Sequence, residues 1–291
     1  MRNHWMALAL SVLLLFGAGG TIVTAEESTQ AQGSFQGKIN VGGYSLYINV
    51  QGQRQEGRPT VVFENGNGDT SAIWSQVAPQ LAQQTRVVTY DRVGTGQSDA
   101  PDRSTVDYTA AGEAERLHTL LANANVNGPL VIVAHSIGGL YARTYQKLYP
   151  DQVKGIVFVD SATEHQEQYL FPEFDTAAQE AIMNDDLTNG TGIPVELSLS
   201  DYLASSLQLD QIQSTDPLRS LPITVLSGGN HAYPAAFPNL EQYWANRQGY
   251  LAGLSDNAVH TVDPVHGHYL HTQNPQLVIS AINAMLQRTE C

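Results

Sequence analysis

The chain has 291 residues, 42% of them hydrophobic and 14% charged, and a formal net charge of −14 at pH 7. Such a composition suits one enzyme-sized globular domain with a large core and excludes a disordered tail protein or a multi-span membrane protein. The acidic excess is spread along the chain, and the sequence has no Lys/Arg-rich stretch or aromatic-basic interleaving, which argues against nucleic acid as a partner and against polyanionic substrates.

Taken in chain order, the first feature is Arg2, followed by an apolar run from Ala7 to Phe16 and a small-residue stretch that closes on Val23-Thr24-Ala25 before Glu26-Glu27. This is the layout of a secretory signal over residues 1–25 with cleavage after Ala25. The protein is therefore expected to be exported, to the periplasm or outside the cell, with no stable membrane span once the signal is removed. The alternative is an uncleaved anchor over Ala7 to Ala25, a segment that just reaches across a bilayer. Cys291 is the one cysteine, so the sequence offers no pair for an internal disulfide.

Residues 26–36 are polar and suggest a linker. Alternation through Lys38 to Val41 and Tyr44 to Val50, with Gly42-Gly43 between, predicts a hairpin. Short continuous apolar runs follow at Thr60 to Phe63, Arg86 to Tyr90, Leu130 to Ala134, Gly155 to Val159, Ile223 to Leu226 and Ala258 to Val262. Runs of this kind suit parallel strands buried on both faces. Helical spacing lies between them at Ser71 to Gln84, Tyr108 to Ala124, Ile137 to Leu148, Leu240 to Leu254 and Pro275 to Arg288. The alternation predicts an α/β fold with a doubly wound, mostly parallel sheet over residues 37–160 and 221–291. Residues 161–220 carry no clear core strand, and so long an interval needs structure of its own, which is expected to be a helical lid.

The strongest chemical signal is Leu130-Val131-Ile132-Val133-Ala134-His135-Ser136-Ile137-Gly138-Gly139, a buried strand running through a serine into a helix. A serine at so sharp a turn needs small neighbours two positions away on each side, and Ala134 and Gly138 supply them. The turn lifts the Ser136 hydroxyl above the sheet and sets the Ile137 N–H at a helix start, where it can bind an oxyanion. Helix capping is the plainer role for the same serine.

These residues resemble the α/β-hydrolase superfamily. Phe63-Glu64-Asn65-Gly66-Asn67-Gly68 is similar to the His-Gly loop after the third strand, although Asn65 stands where that loop usually has histidine. By position in this loop, the Asn67 N–H would be the second oxyanion donor. Asp91-Arg92-Val93-Gly94-Thr95-Gly96-Gln97-Ser98 resembles the D-R-x-G-x-G-x-S loop after the fourth strand, expected to brace the floor of the site. Val265-His266-Gly267-His268-Tyr269-Leu270-His271 resembles the Gly-His segment after the last strand.

The resemblance implies an α/β-hydrolase fold with Ser136 as nucleophile and His268 as general base, with His266 and His271 as the alternatives. Four histidines near the C-terminus also raise a metal site, but no H-E-x-x-H or CxxC accompanies them, so neither a metal nor a cofactor is expected. The usual acid position after the seventh strand reads Ser227-Gly228-Gly229-Asn230-His231, without a carboxylate. The sixth strand ends on Asp160 instead, a position some superfamily members use, which preserves the order nucleophile, acid, histidine. Glu164, Asp256 and Asp263 are its rivals. Trp74 is a candidate for lining the acyl pocket, with core packing as its other role.

The expected activity is hydrolysis of a carboxylic ester or related acyl bond in a small-molecule substrate, through an acyl-enzyme. The alternatives are thioesterase, lactonase, aminopeptidase, carbon–carbon hydrolase and haloperoxidase activity, or a receptor on the same fold that binds with little turnover.

Overall fold

The computed structural model describes residues 33–213 and 218–290. The segments assigned to the signal, 1–25, and to most of the linker lie outside them. No helix among the described residues is long and apolar enough to cross a membrane.

The hairpin forms β1 (Phe35–Asn40) and β2 (Ser45–Gln51), paired antiparallel with Asn40 opposite Ser45. Gly42 and Gly43 both have positive φ at the turn, which glycine adopts without the strain of a Cβ. Pairing starts at Phe35 opposite Val50, so the last two residues of the expected linker belong to the sheet. Once Asn49 and Val50 are fixed in the sheet, Gln36 and Phe35 pair with them and gain partners for their facing backbone groups.

Six further strands complete the sheet: β3 (Thr60–Glu64), β4 (Val87–Tyr90), β5 (Leu130–His135), β6 (Val153–Val159), β7 (Ile223–Gly228) and β8 (Ala258–Asp263). The order is β1-β2-β4-β3-β5-β6-β7-β8, with every pair from β4–β3 to β7–β8 parallel. Strands β3, β4, β5 and β7 are buried throughout. Strand β8 departs from the expectation of burial on both faces. It is the sheet edge, and four of its six residues are exposed.

Helices cover both faces: α1 (Ala78–Leu81), α2 (Ala110–Asn123) and α3 (Gly138–Leu148), then α4 (Gln166–Leu170), α5 (Thr176–Thr188) and α6 (Leu199–Gln213), then α7 (Leu240–Gly253), α8 (Leu270–Gln273) and α9 (Pro275–Thr289). The expected helix over Ser71 to Gln84 is broken into a 3₁₀ turn, Ser71–Trp74, and the short α1. Trp74 turns wholly inward, and Pro79 in the first turn of α1 suits a new helix start there. Helices α4, α5 and α6 all fall within residues 161–220, between β6 and β7.

The core has two apolar layers, one on each side of the sheet. Leu46, Ile48, Val62, Val88, Ile132, Ile156 and Val225 meet α2, α3 and the insertion. Val61, Phe63, Val87, Val131, Val133, Val157 and Leu226 meet Trp74, Leu81 and α9. Alternate residues of each central strand thus enter opposite layers, the period of two that a strand imposes. The carboxyl ends of β3, β5, β6 and β7 share one rim, where an open α/β sheet places its ligand crevice.

Candidate active site

Ser136 sits between the last residue of β5 and the start of α3 with φ of +51°. This left-handed conformation is uncommon for a residue with a Cβ and marks a strained turn held by its surroundings. The close packing behind it explains Gly138. A Cβ there would lie 2.9 Å from the Asn65 carbonyl oxygen and 3.0 Å from Glu64, distances that real side chains do not tolerate without movement of the backbone.

Strand β6 ends beside the elbow, and Asp160 follows it, fully buried and also at positive φ, +48°. Its Oδ2 accepts from His268 Nδ1 at 2.7 Å and from His231 Nε2 at 2.8 Å, while Oδ1 accepts from the Gly228 N–H at 2.8 Å and Trp244 Nε1 at 3.0 Å. Burial alone would raise this carboxyl, but the hydrogen bonds and charges of the two imidazoles hold it well below the usual carboxylate range. With its Nδ1–H donated to Asp160, His268 has its other nitrogen, Nε2, free to take a proton. Ser136 and His268 line the same cavity.

The rival carboxylates are engaged elsewhere. Glu164 is bonded by Arg143 and Tyr250, Asp256 pairs with Arg219, and Asp263 accepts from His266 and Asn274. The rival histidines also stand apart from Asp160. His266 is turned toward Asp263, and His271 is buried with neither ring nitrogen bonded. His271 packs against Trp74 and His135, and its burial drives its pKa down to about 2. His135, the residue before Ser136, is likewise buried, which lowers its pKa, and its Nε2 donates to the His268 carbonyl at 3.1 Å, tying the histidine loop to the elbow.

Among the described residues neither the Ile137 nor the Asn67 backbone N–H has an acceptor within the protein. The loop carrying Asn67 is clamped from both sides. From the sheet, Arg92 donates to the carbonyls of Asn65 and Gly66, and Asn65 donates to the Tyr90 carbonyl. From the insertion, Glu196 accepts from Arg92 and from the Gly68 N–H, and the Asn67 side chain reaches the Leu187 carbonyl. Asp91 accepts from the Ser71 and Gln97 N–H groups, and Gly94 and Gly96 take positive φ. Asn65, which replaces the usual histidine, is fully buried and accepts from Trp74 Nε1 at 2.8 Å.

That last bond corrects the expectation for Trp74. It is buried against Phe63 and His271 below the oxyanion loop and is absent from the cavity wall. The tryptophan on the wall is Trp244 of α7, beside Tyr233, Pro234, Phe237 and Leu240. Leu170, Phe171, Ile182 and Met183 of the insertion face them, with Asp185 and Asp186 as acidic neighbours, around a cavity of about 440 Å³. Sequence reasoning missed the contribution of residues 231–244, whose signal was an aromatic run directly after β7.

Asp160, His231 and His268 also form the group of described residues whose potential ligand atoms lie within 4.8 Å of one another. Two ligands on a tetrahedral zinc stand about 3.4 Å apart, given metal–ligand bonds near 2.1 Å. The separations of 2.7 and 2.8 Å seen here are hydrogen-bond lengths instead.

A family model described as the alpha/beta hydrolase fold matches residues 59–260. The chain belongs to this family. Among curated relatives, this α/β hydrolase is 33% identical over 146 residues to a protein named as a transporter, efuK of Hormonema carpetanum, covering 49% of this chain but only 21% of that one. It is 26% identical over 224 residues to YqjL of Bacillus subtilis, covering 77% and 81% of the two chains. The haloalkane dehalogenase variant DbeA-M1 from Bradyrhizobium elkanii superposes with a TM-score of 0.63 at 17% identity, over 88% of this chain and 97% of that one. At that identity the likeness is one of fold.

Proposed function

We propose that this α/β hydrolase is a serine hydrolase that cleaves carboxylic esters through an acyl-enzyme. The observation that carries the reading is the 2.7 Å bond between Asp160 and His268 Nδ1, on a histidine that shares a cavity with the serine of a strained elbow. In this reading Asp160 fixes the tautomer of His268, and His268 Nε2 takes the proton of Ser136 as its Oγ attacks the ester carbonyl carbon. The tetrahedral oxyanion is bound by the Ile137 and Asn67 N–H groups, neither of which has an acceptor among the described residues. His268 then returns the proton to the departing alkoxide. Water, deprotonated by the same imidazole, releases the acid.

The apolar wall of Leu170, Phe171, Phe237 and Leu240 suits a hydrocarbon acyl or alcohol group, and a volume of about 440 Å³ suits a small molecule. Asp185 and Asp186 disfavour a substrate bearing a carboxylate there. With a serine rather than an aspartate at the elbow, the chain lacks the nucleophile on which haloalkane dehalogenase and epoxide hydrolase chemistry depends. We further propose that it acts after export directed by residues 1–25.

The test is a screen of p-nitrophenyl esters of increasing chain length, with pre-steady-state detection of nitrophenol. A burst of about one equivalent followed by turnover is expected. A receptor with little turnover would give at most the burst, and no release from any ester would contradict the reading.

A further inference from the structure

Asp160 does not serve His268 alone. The Oδ2 that accepts from His268 accepts equally from His231 Nε2, and the opposite nitrogen of that ring, Nδ1, lies 2.8 Å from Glu241 Oε1. Glu241 Oε2 accepts from the His231 backbone N–H at 3.1 Å, which fixes the carboxylate in place. An ionised carboxylate can only accept, whereas a neutral imidazole has one donor nitrogen and one acceptor. A neutral His231 would therefore aim a lone pair at an oxygen on one side, and only the imidazolium satisfies both contacts. Although burial works against charge on this side chain, which is 3% exposed, the two carboxylates outweigh it and raise its pKa above the ordinary histidine value.

We infer that His231 is a positioning residue, a standing imidazolium behind Asp160 that governs how readily His268 takes up a proton. The inference rests on the reading of Ser136 and His268 as the hydrolytic pair. The groups facing His231 are Asp160 after β6, Glu241 of α7, the stacked ring of Tyr233, the edge of Trp244 and His268 itself, at 6.3 Å between ring centres. His268 is faced by Asp160, His231, His135, Tyr269 and Trp244, with Asp186 on the same cavity wall and Asp69 beyond His135.

Two positive rings 6.3 Å apart repel, which displaces proton uptake by roughly 0.5 pH units in a water-like medium and about 2 at an effective dielectric near 20. A charged His231 thus keeps His268 unprotonated, and able to act as a base, to lower pH. In return it shares the carboxylate that stabilises the imidazolium formed during attack.

Glu241→Gln neutralises the ring and removes one carboxylate together, but that carboxylate sits on the ring nitrogen turned away from Asp160, so the lost positive charge dominates at His268. The amide can donate to His231 Nδ1 while its oxygen still accepts the backbone N–H, so the geometry persists. In the wild-type protein at pH 7.5, nitrogen-15 NMR should find both His231 ring nitrogens protonated. In Glu241→Gln, one nitrogen should lose its proton, the NMR midpoint of His268 should rise by a part of the roughly 0.5–2 pH units due to the ring alone, the lost carboxylate offsetting the remainder, and the acidic limb of ester hydrolysis should move up equally with no fall in plateau kcat. A purely structural contact would lower the plateau and leave the limb in place. An unprotonated His231 nitrogen in the wild type, or an unmoved His268 midpoint in the variant, overturns the inference. A moved midpoint in a protein that turns over no ester overturns the hydrolase reading instead and leaves the coupling intact.

Discussion

The sheet and the insertion above it combine apolar burial and polar contact in different proportions. Strands β3, β4, β5 and β7 have no exposed residue, and their apolar side chains alternate into two layers. Helices α5 and α6 of the insertion add a smaller set of apolar side chains, Met183, Leu187, Tyr202 and Leu209, to the layer on one side of the sheet. Specific polar contacts add to this: Glu196, between α5 and α6, to Arg92, Arg103 to Asp201 and to the Glu196 carbonyl, and Ser205 to the Ala110 N–H. A sheet held by summed burial tolerates many single changes, whereas a segment with less apolar burial depends more on a buried ion pair such as Glu196 to Arg92. The proposed catalytic groups Ser136, Asp160 and His268 follow the carboxyl ends of strands, and the insertion shapes one side of the cavity that Ser136 and His268 line.

The largest effect expected is on the sheet side. Asp160→Asn should lower kcat for ester hydrolysis by about 10⁴, the size of loss that follows when the triad aspartate of a serine protease is neutralised, while Glu164→Gln should change it far less. Near-wild-type kcat in folded Asp160→Asn protein would detach Asp160 from the chemistry and leave its four hydrogen bonds as purely structural.

The insertion is most exposed at Glu196. Its removal in Glu196→Ala leaves the fully buried Arg92 guanidinium without its main partner, and should destabilise the protein by about 3–5 kcal/mol in urea unfolding. Loss of less than about 1 kcal/mol would show that the apolar packing of the insertion outweighs this ion pair.

The sheet side has its own weak point in His271, buried and neutral beside Trp74 and His135. Its folded pKa, near 2, is depressed from the ordinary value near 6.5. The unfolded chain therefore binds the extra proton, so the stability present above pH 6.5 is lost as pH falls toward 2, by up to about 1.4 kcal/mol per pH unit. Unfolding followed from pH 7 to 4 should show this slope, and His271→Phe should flatten it. An unchanged slope would assign the acid sensitivity to other groups.

The smallest effect concerns specificity. Ile182→Ala removes apolar surface from the insertion side of the cavity. It should raise KM for long-chain esters about 5- to 30-fold, equivalent to roughly 1–2 kcal/mol, while leaving kcat for acetyl esters unchanged. An equal effect on both would mean that the acyl chain lies elsewhere.

Much of the sheet could be read from sequence because burial on both faces writes continuous apolar runs, as at Leu130 to Ala134 and Ile223 to Leu226. The edge strand β8 carries a similar run for a different reason, so its exposure was not legible. The strand-to-helix elbow at Ser136 and the carboxylate at the end of β6 are local features, and the residues themselves mark them. The meeting of Asp160 with His268 spans 108 positions; the resemblance implied it, but no local pattern measures it. His231 was legible only as the residue where a carboxylate is missing, since its role depends on Glu241 from α7 folding back onto it. Trp74 carried two readings, pocket lining and core packing, and distance along the chain from the Asn65–Gly68 loop could not decide between them, because it does not reveal that Asn65 draws the ring into the core. The cavity wall after β7 left a weaker signal than the insertion, since Tyr233, Phe237 and Trp244 are spaced along a loop and a helix start and converge only when that segment closes the other side.

The central claim, that Ser136 is the nucleophile, is tested most directly by labelling the folded protein with a fluorophosphonate and mapping the adduct by peptide mass spectrometry. One adduct per chain is expected, on the peptide containing Ser136, absent in Ser136→Ala and slowed in Asp160→Asn. An adduct on another residue, or undiminished labelling and ester hydrolysis in folded Ser136→Ala, would contradict the account.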